Sequence, residues 1–412
     1  MLRNLSGVTC RVADLDAAKK WYSGILGRSP VLDSPFAVIF VIGEDALSLI
    51  RADDAPAPNE GSPVVYWQVD DLDAAYSGLL EAGATAQTEP YLSGLGSRVA
   101  RVVDPFGNVL GITCRGSAQP PKSVEDQPSD SAAGVALWRA IAAGDPRDEI
   151  RGPDTLAHLF LTEDFRKLAN DRASCEWMMK KVPGSYEYFI ARTAWLDSVV
   201  RENLDRNVPQ MVFLGAGYDT RAIRFRERIR DTRIFEVDSA PTQGRKLRLL
   251  EQGNIASPPQ VIYVSLNFLR DSLAAVLTRA GYDPRALTLF IWEGVIYYLT
   301  PAAVDQTLDF VRKNSAAGST LCFDYLIHAP DMQSRHGVKE SQDAMKKSYR
   351  SEPIQFRIDE GTIQSFLSER GFGMIDHLLP ADMERRILTL RDGTLAGHVL
   401  ACFGFVEASV LS

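Results

Sequence analysis

The sequence predicts an α/β domain with an open, mostly parallel sheet, preceded by a smaller α+β domain made of two βαβββ units. Three observations predict this. From about residue 210 onward, apolar runs of five to eight residues alternate with amphipathic stretches, the pattern of parallel strands covered on both faces. The first 115 or so residues repeat one pattern twice. Between the two lies "GSAQPPKSVEDQPSDSAAG", a polar stretch rich in Pro, Ser and Ala that cannot bury enough surface to order itself. The expected organisation is therefore a domain over 1–115, a flexible linker over 116–134 and a larger domain over 135–412.

Composition narrows the partners. A chain of 412 residues suits two or three domains. A formal net charge of -8 and the lack of any Lys/Arg block argue against nucleic acid. The longest clean apolar run, "FAVIFVI" at 36–42, is far below the roughly 20 residues that span a bilayer, which argues against a membrane. "MLRNLSGVTCRVADLD" lacks the apolar core of a signal peptide. Five scattered cysteines without a CxxC pair fit reduced thiols in a cytoplasm.

In the first segment, "RVADLDAAKKWYSGILG" starts at Arg11 and "QVDDLDAAYSGLLEAGA" starts at Gln68. Each copy runs from a short strand through an Asp-Leu-Asp turn into a helix, with the Asp placed as N-cap. Alternating stretches such as "FAVIFVI" and "SRVARVV" then read as strands. With "VVDPFGNVLGI" at 102–112, this segment resembles the vicinal-oxygen-chelate superfamily of glyoxalases, bleomycin-resistance proteins and dioxygenases. Enzymes of that superfamily hold a divalent metal at four strand positions. Matched motif to motif, these are Gly7, Ser48, Val64 and Gly111, none of which supplies an imidazole or a carboxylate. The module is expected to be metal-free. It serves either as an apolar binding cleft or docking surface, or as a structural appendage or dimerisation piece for a homo-oligomer.

In the second segment, "VALWRAIAA", "TLAHLFLTEDFRKLAN" and "YFIARTAWLDSVVREN" have helical spacing. "QMVFLGAG", "TRIFEVD", "QVIYVSLNF", "LTLFIWEG" and "STLCFDYL" follow as buried strands. The tail, "RILTLRDG" and "VLACFGFVEA", reads as a closing antiparallel hairpin. A ligand of such a sheet lies at the carboxyl ends of the first strands. There Gly215 and Gly217 end the first strand, where a Cβ would block close approach. Thr220 stands where a dinucleotide fingerprint needs its third glycine, which weakens a dehydrogenase reading. Asp238, at the tip of the second strand, can accept both hydroxyls of a ribose, or else cap the next helix. Glycines with a ribose-binding acid and no pyrophosphate site point to S-adenosylmethionine.

Further residues fit that ligand. Asn267 and Phe268 end the third strand, suited to an adenine edge and face, or to a turn and the core. Glu293 ends the fourth strand inside an apolar run, where a charge needs a partner; a bound ammonium or sulfonium would supply one. The following helix is capped by Thr300 and Pro301, so Glu293 is not needed there. Arg192 lies on a mixed helix and could clamp a carboxylate, although a surface arginine is the simpler reading of its position.

At "ARTAWLD", "FLGAGYDTR", "FEVD", "WEGVIYYLT" and "EPIQFRID" the second segment, from about Val135 to Ala408, resembles the leucine carboxyl methyltransferase family, including its bacterial polyketide O-methyltransferase branch. The resemblance implies a Rossmann-like class I methyltransferase fold and S-adenosylmethionine as cofactor. It implies that Arg192 holds the methionyl carboxylate, Gly215 lines the methionyl chain, Asp238 takes the ribose, Asn267 and Phe268 the adenine, and Glu293 the ammonium region. The family usually has Asp where this chain has Asn267, so one charge near the adenine is missing.

The expected reaction is methyl transfer to an oxygen of a small-molecule acceptor, a carboxylic acid. A carboxylate is already ionised at neutral pH and needs no general base. Tyr297 or Tyr298 would donate a hydrogen bond to the acceptor, the other being core. The polar stretch 328–352, with Arg335, Lys339, Lys346, Lys347 and Arg350, suits a substrate lid or a solvated charged face. The alternatives are a phenol or enol acceptor with His328 or His336 as base, and a non-catalytic binding protein.

Overall fold

Two short strand-helix-strand modules open the chain, and their strands join edge to edge. The computed structural model describes residues 4–12, 14–26, 28–42, 45–51, 64–92, 97–103, 109–114, 127–267, 271–348 and 352–412. The chain divides into two units, Met1–Pro121 with Asp171–Met178, and Lys122–Asn170 with Met179–Ser412.

The first unit holds β1 (Asn4–Val12), α1 (Leu15–Leu26), β2 (Leu32–Asp33), β3 (Ala37–Ile42) and β4 (Asp45–Arg51). A second set follows: β5 (Val64–Gln68), α2 (Leu72–Glu81), β6 (Thr85–Leu92), β7 (Arg98–Val103) and β8 (Val109–Cys114). The sheet order β2-β3-β4-β1-β5-β8-β7-β6 reads the same from either end, so the sequence repeat is a structural repeat about the antiparallel β1–β5 seam. Within each half the first and last strands run parallel. Asp71 Oδ1 accepts from Asp73 N at 3.0 Å and Ala74 N at 3.1 Å, capping α2. Asp14 does the same for Ala17 N at 2.9 Å.

Strand register puts Gly7, Ser48, Val64 and Gly111 on one face of this sheet. Thr9 pairs with both Ser48 and Val64, and Tyr66 pairs with both Gly7 and Gly111. That face carries an aromatic ring: a Cβ at Gly111 would lie 2.6 Å from the ring of Tyr66. The Tyr66 hydroxyl accepts from Arg101 Nε at 2.6 Å. Among the described residues no group of three or more His, Cys, Asp and Glu is placed to hold a metal ion.

The second unit holds α3 (Asp130–Ala143), which starts inside the stretch expected as linker; residues 116–126 of that stretch lie outside the described residues. Small polar residues start a helix here because Ser129 Oγ accepts from Ala132 N at 3.0 Å, and Glu352 supplies further acceptors described below. After α4 (Glu163–Asn170) comes α5 (Arg172–Lys181), most of which groups with the first unit; Trp177 sets its ring edge-on to Phe36 at 5.4 Å. Then α6 (Ser185–Asp205) leads to the sheet.

That sheet comprises β9 (Gln210–Leu214), α7 (Arg221–Arg224), β10 (Arg233–Asp238), α8 (Ala240–Gln252), β11 (Val261–Ser265), α9 (Leu273–Arg279), β12 (Thr288–Trp292), α10 (Pro301–Lys313) and β13 (Thr320–His328) with their crossovers. It is completed by α11 (Val338–Ser348), β14 (Ile358–Asp359), α12 (Ile363–Ser368), β15 (Phe372–Leu378), α13 (Pro380–Met383) and β16 (Phe403–Val410). The order is β11-β10-β9-β12-β13-β16-β15, with β14 beside β13. From β11 to β13 every pairing is parallel. Every residue of β9 and β12 is buried, which is why those runs show no alternation.

The tail differs from the expected hairpin. β16 lies antiparallel between β13 and "FGMIDHL" of β15, while Glu384–Leu388 forms a helical turn. Leu388 is buried and Arg386 pairs with Asp376 at 2.9 Å, so that apolar run is used for packing under a turn. Among the described residues no helix is long and apolar enough to cross a membrane.

Candidate functional site

In the sheet of the second unit the strand order reverses on either side of β9, so the carboxyl ends of β9, β10 and β12 form its switch point. The chain leaves β9 through Gly215 at φ +70° and Gly217 at φ +50°, a region that penalises any Cβ. A side chain at 215 would also collide with Val295, just past β12. The backbone here approaches the neighbouring loop as closely as glycine permits.

Asp238 ends β10 and is 9% exposed. Its carboxylate accepts from Gly217 N at 2.5 Å and Ser239 N at 2.6 Å. Burial pushes its carboxyl up to about 6, against the pull of those two N–H groups. Two accepted bonds leave a carboxylate with further lone pairs, enough for a diol. Beneath it, Glu236 and Lys246 form a buried pair at 2.5 Å.

Glu293 follows β12, and the protein itself supplies its partners. Arg192 Nε lies 2.9 Å from Oε1, and Arg221 Nη1 lies 2.6 Å from Oε2. Arg192 is 1% exposed, so the surface reading fails: α6 turns this residue into the core, where it pairs with Asp324 at 2.9 Å. Burial works against its charge, but Tyr188, Glu293 and Asp324 hold its pKa above the ordinary arginine value. Arg221 also meets Asp219, and its Nε donates to Asp197 at 2.8 Å. Asp197 continues to Arg224 at 2.5 Å, and Asp154 lies 3.9 Å from Arg224 and 3.3 Å from Arg139.

This chain of ion pairs joins four arginines to five carboxylates, Asp154, Asp197, Asp219, Glu293 and Asp324, and carries one formal negative charge in excess. Among the described residues three guanidinium N–H groups in it, at Arg139 Nε, Arg192 Nε and Arg221 Nη2, are buried without a hydrogen-bond acceptor; the 2.9 Å approach of Arg192 to Glu293 is an ion pair without alignment.

Tyr297 is 4% exposed beside Arg192, and burial holds its hydroxyl well above the usual phenol range. Tyr298 is half-buried. Asn267 opens a turn, its N–H donating to Asp271 Oδ2 at 2.8 Å; Phe268 lies outside the described residues. Of the basic residues in 328–352, Arg335 is held by Asp331 and Glu360 at 2.8 and 2.7 Å, Lys339 is exposed, and the side chains of Lys346, Lys347 and Arg350 lie outside the described residues. His328 and His336 are exposed.

Sequence reasoning missed Asp197, Arg221 and Asp324. Arg221 stood in the quoted "FLGAGYDTR", and Asp324 in "STLCFDYL", as an acid amid an apolar run like Glu293. Asp324 accepts from Gly294 N at 2.6 Å and from the Tyr188 hydroxyl, which fixes the turn after β12.

Comparison with known proteins finds relatives for both segments of the chain. Residues 132–312 match the leucine carboxyl methyltransferase family model, and residues 5–112 match that of the glyoxalase/bleomycin resistance protein/dioxygenase superfamily. A "Putative S-adenosyl-L-methionine-dependent methyltransferase" of Streptomyces coelicolor is 31% identical over 234 residues, 54% of this chain and 71% of that protein. A protein of the same description from Frankia alni is 33% identical over 198 residues, 46% of this chain and 66% of its own length. A solved "putative methyltransferase" of Thermobifida fusca has 17% identity and a TM-score of 0.47, over 72% of this chain and 100% of its own. The chain thus belongs to the leucine carboxyl methyltransferase family of S-adenosyl-L-methionine-dependent methyltransferases, and carries an N-terminal domain of the glyoxalase/bleomycin resistance protein/dioxygenase superfamily.

Proposed function

We propose that this methyltransferase transfers the methyl group of S-adenosylmethionine to a carboxylate oxygen of a small organic acid. The cofactor contributes an electrophilic methyl on a sulfonium. The excess negative charge of the buried ion-pair chain supports a ligand of net charge +1, since an uncompensated buried charge is costly. The N–H groups of Arg192 and Arg221 without acceptors suit the methionyl carboxylate. Gly215 leaves the chain room, and Asp238 retains lone pairs for the ribose.

One observation favours a carboxyl acceptor over a hydroxyl. The ionisable groups described at these strand tips have other work in this reading: Glu293 and Asp324 pair with arginines, and Asp238 accepts from two backbone N–H groups with its remaining lone pairs assigned to the ribose. Tyr297 keeps its proton because burial holds its hydroxyl above the usual phenol range, so it does not serve as a base. A carboxylate acceptor needs none, only alignment and exclusion of water.

The test uses labelled donor with paired carboxylic and phenolic acceptors. An ester product releases its label in mild alkali, whereas an ether does not. Alkali-stable label, with a rate that falls as a group near pH 6.5 is protonated, would replace this reading with histidine-assisted hydroxyl methylation.

A further inference from the structure

The motif "EPIQFRID" at 352–359 has no part in the reading above, yet its first residues join both walls of the site. At one end the Glu352 carboxylate sits on the N-terminus of α3. It accepts from Asp130 N at 3.1 Å, Ser131 N at 3.2 Å, Ser131 Oγ at 2.5 Å and Ser129 Oγ at 3.2 Å. Backbone N–H groups and the positive end of the helix dipole favour a carboxylate at such a place.

That first turn of α3 touches what holds Asp238. Ala132 Cβ lies 3.4 Å from where a Gly217 side chain would begin, and Ser129 N donates to Thr242 Oγ1 at 3.0 Å. Thr242 in turn accepts from Ser239 Oγ at 3.1 Å, and Gly217 and Ser239 are the two donors to Asp238.

At the other end, Gln355 N and Phe356 N donate to the Tyr297 carbonyl at 2.8 and 3.2 Å, and Gln355 Nε2 donates to the Tyr298 carbonyl at 2.6 Å. The strap therefore runs from the β10 side of the switch point to the β12 side, with β9 between. Two strand spacings are about 9.6 Å, and the three steps of extended chain from Glu352 to Gln355 reach about 10–11 Å, so the strap is long enough with almost no slack.

We propose, resting on the donor site assigned above, that Glu352 is a positioning residue for donor binding: by fastening the first turn of α3 it holds the Gly217 and Ser239 N–H groups on Asp238. The strap does not touch the reacting atoms. Its loss acts through α3, so it raises the donor KM and spares kcat.

The full chain is compared with Glu352→Ala, Glu352→Gln and Ser131→Ala by calorimetric titration with S-adenosylmethionine, steady-state kinetics and backbone amide exchange. Losing a set of charge-assisted hydrogen bonds predicts donor binding weaker by roughly tenfold in Glu352→Ala, with a smaller loss in the other two. Exchange at Asp130 and Ser131 becomes faster, and kcat stays within about threefold. Donor affinity within about twofold of wild type in both Glu352→Ala and Ser131→Ala overturns the proposal. So does a fall in kcat at unchanged KM, the mark of a smaller folded fraction. A wild-type chain that binds no S-adenosylmethionine removes the donor-site reading itself, and the exchange data then report only whether the strap holds α3.

Discussion

Arg192 and Asp324 are 132 residues apart in sequence and meet at 2.9 Å, with side-chain exposures of 2% and 0%. Because Asp324 also accepts from Gly294 N and Tyr188, one carboxylate on β13 sets both the guanidinium and the turn that carries Glu293. Removing one member of such a pair strands the other in the core. Arg192→Met is expected to destabilise the protein by about 3–5 kcal/mol. The double variant Arg192→Met/Asp324→Asn is expected to lose clearly less than the sum of the single losses. Denaturant melts of the four proteins measure this, and additive losses would mean that the two residues act separately.

Asp238 gives the site a pH dependence. Burial places its carboxyl at about 6, well above the ordinary value near 3.9. The folded state therefore holds this proton more tightly than the unfolded chain. The stability contribution is full below about pH 4 and is lost as pH rises through about 6, by roughly 3 kcal/mol at most. Asp238→Asn does not titrate, so its melting temperature relative to wild type should improve between pH 5 and 7.5. Donor binding follows the opposite course. In the proposed donor site the ribose needs the carboxylate as acceptor, so affinity is expected to fall below about pH 6, by up to tenfold per pH unit, and to be largely lost in the variant. Calorimetry from pH 5 to 8 checks both; an affinity flat across pH 6 would detach Asp238 from the donor.

What the sequence reveals and conceals here has a physical basis. Apolar strand runs, the Asp-capped repeat and the glycines after β9 are local signals, each set by the chain's own neighbours, and the sheet follows from them. The partners of Glu293 are not local. An acid in an apolar run announces that it needs compensation, but not that α6 and the loop after β9 deliver two arginines to it. Arg192 reads as a surface residue because α6 carries polar residues on a mixed face, and only tertiary packing buries it. The start of α3 is hidden for a similar reason, since the carboxylate that secures it comes from Glu352, more than 200 residues later.

Gly215 combines a conformational and a steric demand. Its φ of +70° costs about 1–2 kcal/mol in any L-residue with a side chain, and a Cβ collides with Val295. Gly215→Ala should lower stability by about 2–4 kcal/mol. Val295→Ala in the same chain should restore only the steric part, leaving a residue of about 1–2 kcal/mol from the backbone. Thermal melts of the four combinations separate the two. Complete rescue would show that positive φ carries no penalty here.

The first unit permits a parallel test on the sheet face where Gly7, Ser48, Val64 and Gly111 lie. Gly111→Ala puts a methyl group 2.6 Å from the ring of Tyr66, which is 9% exposed and tied to Arg101. The ring has little room to swing, so the variant should lose about 1–3 kcal/mol, seen as faster amide exchange in β5 and β8. In a Tyr66→Ala background the methyl group enters vacated space, and the same substitution should be neutral or stabilising. Equal losses in both backgrounds would place the strain in the β8 backbone instead of the Tyr66 ring.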